Sequence, residues 1–216
     1  MLPFRIPYLI LSSSLLLVLG CSPVHKQMQS ANADINVLQK FKPAFSVALY
    51  NTTVDVVGNH LSGLLLIKKM PDSSTRLVFS NEMGFTFFDF EFAADGNFKV
   101  YSIIKKMNKR SVIKTLQHDF ELVLMNRPDN SNSSVRTENG FLYFIFPQNK
   151  GYNYYITNAD GTELVRMERA SNKKTIVEAV MKNFGKVQNF AKVAPDTIGI
   201  SHKTFEFNIG LKRIER

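Results

Sequence analysis

The feature that most restricts this chain is a series of turn signals spaced so closely that only strands fit between most of them. Val57-Gly58-Asn59, Met70-Pro71-Asp72, Ala94-Asp95-Gly96-Asn97, Asn139-Gly140, Asn149-Lys150-Gly151 and Ala159-Asp160-Gly161 each bring together residues that initiate turns or tolerate positive φ. Between them apolar and polar residues alternate, the period of a strand with one face in a core. Phe88, Phe90 and Phe92 alternate with Asp89 and Glu91; Phe205, Phe207, Ile209 and Leu211 alternate with Glu206, Asn208 and Lys212. Further strands are expected over 45–57, 61–69, 76–81, 98–104, 141–146, 152–157 and 163–168. Residues 176–184 fit either a strand or a helix, and the strands on both sides favour a strand.

One segment breaks the alternation. Over 108–125, Val112, Ile113, Leu116, Phe120, Val123 and Leu124 recur at helical spacing, Asn108 is placed to cap the N-terminus, and Met107 with Val112 fits a hydrophobic staple. Lys109 and Arg110 sit against the positive end of that helix dipole. Residues 125–138 then read as a polar loop. Residues 64–67 and 141–146 are apolar on both strand faces, so each needs cover on two sides. The fold class that meets these demands is mainly β (α+β): a strongly curved antiparallel sheet, or incomplete barrel, of about nine to ten strands wrapped around one central helix.

The start of the chain reads differently. Arg5 precedes an apolar run from Ile6 to Leu19 that is too short for a membrane span, and residues 1–20 read as a signal peptide. The run ends in Leu17-Val18-Leu19-Gly20-Cys21, which resembles the bacterial lipobox. That resemblance implies cleavage before Cys21 and attachment of diacylglycerol and an N-acyl chain, palmitate among them, to this cysteine. Several acyl chains hold a protein on a bilayer durably. Residues 21–40 then read as the acylated cysteine and a polar tether, and 41–216 as the folded domain. With Ser22 after the cysteine and no acid before Asp34, known sorting rules imply the periplasmic face of the outer membrane.

Composition narrows the functions. The chain has 216 residues, 44% hydrophobic and 21% charged, which fits one packed domain. Its one cysteine excludes an internal disulfide and a thiolate metal cluster. The four histidines show no metal-ligand spacing, so neither a metal nor a cofactor beyond the acyl groups on Cys21 is expected. Nucleophile elbows and nucleotide-binding loops are absent, so no enzyme is expected. His118-Asp119 and the pair Asp89 and Glu91 read as surface or satisfied polar residues rather than catalytic ones. Lys plus Arg number 27 against 18 acids; Lys105, Lys106, Lys109, Arg110 and Lys114 gather around the helix start, where they form either a solubilising face or a contact for anionic head groups. Nucleic acid is not an expected partner of an exported chain.

A leader with lipobox, a run of strands, a central helix, more strands and a C-terminal amphipathic strand is similar to the lipoprotein-carrier fold of the LolA and LolB type. The resemblance spans most of 41–214 and lies in pattern and element order. It implies an apolar cavity under a helical lid, 108–125 here, that accepts the acyl chains of other lipoproteins, and an apolar residue on a projecting loop, for which Met70 is the nearest match. Phe79, Phe88, Phe90, Phe92, Leu116, Phe120, Phe144, Phe205 and Phe207 are the expected lining by strand and helix phase. Two functions follow: binding or transfer of lipid or acylated lipoproteins in that cavity, or a non-catalytic structural or accessory role for a filled barrel acting through protein partners.

Overall fold

The structure, a computed structural model, describes residues 25, 27–126, 130–182 and 194–214. Its strands are Gln29–Ser30 (β1), Val47–Val56 (β2), Asn59–Lys69 (β3), Thr75–Ser80 (β4), Thr86–Phe92 (β5), Phe98–Ile103 (β6), Ser134–Glu138 (β7), Phe141–Gln148 (β8), Gly151–Asn158 (β9), Leu164–Ala170 (β10), Thr175–Lys182 (β11), Thr197–His202 (β12) and Phe207–Arg213 (β13). One α-helix, Arg110–Leu124 (α1), falls between β6 and β7, and a short 3-10 turn spans Ile35–Phe41. All thirteen strands form one sheet in the order β1-β7-β8-β9-β10-β11-β12-β13-β2-β3-β4-β5-β6. Every pairing is antiparallel. The edges β1 and β6 do not pair with each other, so the sheet is an open one and not a closed barrel.

Two meanders, β2 to β6 and β7 to β13, are therefore joined by β13 against β2, in a register running from Phe207 opposite Val56 to Arg213 opposite Tyr50. The inner face follows from the alternation: Leu77 and Phe79 on β4, Phe88 and Phe90 on β5, Phe144 and Phe146 on β8, and Ile209 and Leu211 on β13 all enter one core with Leu116, Phe120, Val123 and Leu124 of α1. Burying side chains of this size contributes about 1.5–3 kcal/mol each.

The sheet has more strands than the nine to ten expected, because β1, β7 and β12 carry weak sequence signals. The stretch Ser-Val-Arg-Thr-Glu of β7 has one apolar residue, and β12 is interrupted by Gly199. Residues 175–182 form a strand, as their neighbours implied. The C-terminal strand begins only at Phe207, and the bends before it leave Phe205 45% exposed, outside the inner face. The helix is uncapped at its start: Lys109 occupies the N-cap with no side-chain hydrogen bond, one residue after the expected Asn108. Its end is regular, with Met125 at φ 49° and the amides of Met125 and Asn126 donating to Leu122 and Glu121.

The cover for the two-faced strands also differs from expectation. On β3, Leu65 and Ile67 are buried while Leu64 and Leu66 stay half-exposed. On β8, the outer residues Tyr143 and Ile145 join Tyr154, Ile156 and Ala170 in a second apolar cluster, against which Met28 packs. The N-terminal segment, not curvature alone, provides that cover.

Gly151, at φ +103°, opens β9 with its α-carbon so close to the Ala170 carbonyl that a Cβ would collide with it, whereas Gly58, at φ +72°, faces open space. Gly151→Ala is expected to cost about 2–4 kcal/mol in chemical denaturation and Gly58→Ala about 1 kcal/mol.

Candidate functional site

The site is built where α1 crosses the concave face. Of the residues expected to line it, Phe79, Phe88, Phe90, Phe92, Leu116, Phe120, Phe144 and Phe207 are all buried in the one inner cluster. Their rings interlock: Phe88 stacks on Phe90 with centroids 4.4 Å apart, and Phe120 of α1 meets Phe88 at 6.1 Å. Phe205 instead stacks outside, 5.9 Å from Phe207 and 4.7 Å from the His202 ring. Met70 is half-buried in the β3–β4 turn, where its amide donates to the Ser74 carbonyl (2.9 Å). A methionine does project from the sheet, but it is Met83 in the β4–β5 turn, 92% exposed. Lys105, Lys106, Lys109, Arg110 and Lys114 are all exposed, the first four in and beside the loop that leads into α1. Cys21 and residues 1–20 lie outside the described residues.

The two flanks of α1 are held by different chemistry. Towards β5 the contact is aromatic, through Phe120. Towards β9, β10 and β12 it is polar: Asp119 is fully buried, accepts from Nε2 of His202 (2.7 Å) and pairs with Nη2 of Arg169 (3.4 Å). The Tyr155 hydroxyl also donates to the Leu122 carbonyl (3.4 Å). Nδ1 of His202 is buried without a hydrogen-bond partner. His118, next in sequence to Asp119, points elsewhere and pairs with Glu121 across one helical turn (3.1 Å). The adjacent pair His118-Asp119 is thus split between solvent and core. Sequence reading missed the buried cluster because Arg169 and His202 lie 50 and 83 residues from Asp119.

Asp89 and Glu91 do share the outer face, yet both are paired rather than solvated. Arg76 grips Asp89 through two bonds of 2.7 Å and lies 3.9 Å over the Tyr101 ring. Glu91 accepts from Tyr101 (3.0 Å) and Lys99 (3.2 Å).

A second polar cluster lies on the outer face of the other half. Part of the stretch expected as a free tether folds back there: Gln29 and Ser30 pair with Thr137 and Arg136, and the His25 ring sits between two carboxylates, Nδ1 3.1 Å from Glu138 and Nε2 3.3 Å from Glu168. Tyr143 and Tyr154 flank the ring at 4.8 and 5.1 Å. Burial alone would raise the Glu168 carboxyl; hydrogen bonds from His25 and Arg166, the Arg166 charge and the Thr175 hydroxyl overcome it and bring the pKa down to about 2. Burial also opposes charge on His25, and the hydrogen bonds and charges of Glu168 and Glu138 outweigh it, so the imidazole stays above its ordinary value.

Comparison with known proteins rests on this architecture. No family model matches the chain, and no curated protein sequence matches it. Among solved structures, a LolA superfamily protein from Nitrosomonas europaea superposes with a TM-score of 0.50 at 9% identity, over 86% of this chain and 93% of that one. The chain has a LolA-like fold. An outer membrane lipoprotein-sorting protein domain from Vibrio parahaemolyticus gives a TM-score of 0.47 at 7% identity, over 84% of this chain and 90% of that one. In LolA-like terms, the open sheet is the half-barrel and α1 the helix that it embraces.

Two outcomes are expected. Asp119→Ala leaves buried His202 and Arg169 without their carboxylate and should cost about 3–5 kcal/mol in urea denaturation, with Asp119→Asn milder because it keeps an acceptor. The outer cluster gives a pH signature. Glu168, depressed from an ordinary 4.5, contributes stability above that pH and loses it as pH falls towards 2. His25, raised from 6.5, contributes below that pH and loses it as pH rises through its folded value. The melting-temperature gap between the parent chain and His25→Gln should be widest at about pH 5–6 and close on the alkaline side.

Proposed function

We propose that this chain is a lipid-anchored envelope lipoprotein that binds lipid, or the acyl chains of other lipoproteins, on the concave face beneath α1. The observation that carries the reading is the LolA-like half-barrel whose concave aromatic face is closed by a helix held asymmetrically. The buried Asp119–His202–Arg169 cluster fixes one flank of α1, and the other flank is held by apolar packing, with Phe120 against Phe88 and Leu116 and Val123 in the same cluster. An acyl chain entering between Phe120 and β5 separates aromatic surfaces without breaking an ion pair, and each buried methylene returns about 0.8 kcal/mol. No catalytic step is needed. Cys21, at the end of the apolar leader, is the proposed site of diacylglycerol and N-acyl attachment, on the periplasmic face of the outer membrane.

A second reading is an accessory lipoprotein with a filled interior that acts through protein partners. The stacked Phe88–Phe90 pair and the near-complete burial of Phe79, Phe90 and Phe120 favour it. Native mass spectrometry of residues 22–216, purified without detergent, separates the two. A co-purified acyl ligand, reduced by Phe120→Trp, whose larger ring crowds the contact with Phe88, supports lipid binding. An apo mass unchanged after incubation with phospholipid and acylated peptide refutes it and leaves the accessory role.

A further inference from the structure

The turns at the two ends of the sheet differ in charge. At the end where α1 begins lie the β2–β3, β4–β5, β8–β9, β10–β11 and β12–β13 turns and the loop from β6 to α1. These carry Lys105, Lys106 and Lys109 in the loop, Lys150, Lys173 and Lys174 in the next two turns along the second meander, and Lys203 before β13, against only Glu82 and Glu206. The described turns at the opposite end, β3–β4, β5–β6, β7–β8 and β9–β10, contain Asp72, Asp95, Asp160 and Glu163 and neither Lys nor Arg, while lysines of that end, Lys68, Lys69, Lys182 and Lys212 among them, stand on the adjoining strand ends. Among the described residues, Lys203 alone of these lysines has an ion-pair partner, Glu178 at 3.5 Å.

Apolar side chains gather at the same end. Of the seven large hydrophobic residues exposed in the described structure, four stand there: Val57, Met83, Phe85 and Phe205. Phe85 is braced edge-on against Phe87 at 5.8 Å, and Phe205 lies flat on Phe207. Neighbouring turns are tied into one rim: Lys106 donates to the Asn59 side chain (3.0 Å), and the Val57 amide donates to the Glu206 carbonyl (3.1 Å). A shallow groove of about 570 Å³ between the β8–β9 and β10–β11 turns opens at this end with Lys150 and Lys173 in its lining.

We propose that this rim is a docking surface for an anionic phospholipid bilayer. Lysines free of carboxylates are suited to many phosphates at once rather than to one partner, and braced apolar tips among them fit the boundary between head groups and acyl chains. An acidic protein surface would satisfy the lysines but would leave Met83 and Phe85, on a hairpin tip of their own, without an apolar counterpart. The opposite end, with its acidic turns, faces away from the bilayer. This docking surface does not depend on lipid binding beneath α1.

The test is vesicle flotation of the full chain bearing Cys21→Ser, so that no acyl group holds it, on vesicles of phosphatidylcholine alone and with 30% phosphatidylglycerol. Residues 1–24 are otherwise common to every sample, so differences between variants read the rim. Each lysine at such a surface strengthens binding about five-fold. Reversing Lys105, Lys109, Lys173 and Lys174 to Glu should weaken partitioning to the anionic vesicles by roughly 600-fold or more, and high salt should weaken that of the parent. Glutamate at position 109 suits the helix N-terminus, so the variant keeps its fold, which circular dichroism verifies. Met83→Ser with Phe85→Ser should weaken the salt-resistant part of the binding relative to the parent, while Asp72→Asn with Asp95→Asn leaves it unchanged. Equal partitioning of the parent to both vesicles, or no loss in the fourfold lysine variant, overturns the proposal.

Discussion

The pairing of β13 with β2 is the contact on which the rest of the fold depends. Without it the chain would be two separate meanders, each with an open edge and an aromatic face in water. With it, one sheet of thirteen strands encloses the helix that links the halves. The seam brings together opposite ends of the chain, and such closure is costly in conformational entropy. It is accordingly reinforced: the Tyr50 hydroxyl donates to the Pro195 carbonyl 145 residues away (2.8 Å), Arg213 pairs with Asp196 (2.6 Å), and the Ile214 amide donates to the Leu49 carbonyl (2.8 Å).

Given that seam, α1 has one place to lie, and its two flanks meet two kinds of surface. A buried carboxylate that keeps company with a histidine and an arginine is costly to disturb, because separating them strands charge in a poor solvent. Aromatic contact has no such directional penalty and tolerates an intervening hydrocarbon. The helix thus has one margin held by charge and hydrogen bonds and another held by apolar packing.

Much of this was legible in the sequence. Alternation placed nine of the strands, the neighbouring strands pointed to a tenth at β11, and the helical spacing of Leu116, Phe120, Val123 and Leu124 found α1, because these patterns are local. Of the nine residues that strand and helix phase assigned to the inner face, eight are buried in the inner cluster; Phe205 is not, because bends replace the strand there. The polar clusters were not legible. Asp119, Arg169 and His202, like His25, Glu138 and Glu168, come together only through sheet order, and no spacing in the chain announces them. Nor did β7 stand out, since its polar face and single valine read as loop.

An open sheet of this length has two rims of unpaired backbone, each a template on which another chain could grow a fibre. Here both are blunted by modest means. On one side the edge is β1, only two residues long and too short to nucleate an extended ladder. On the other, β6 has the charged Lys99 at its flank and the Tyr101 ring capped by Arg76, so an incoming strand would have to displace a cation before it found hydrogen bonds. The sheet can thus remain unclosed without offering either edge as a ready template, keeping open the gap between its edges that a barrel would have sealed.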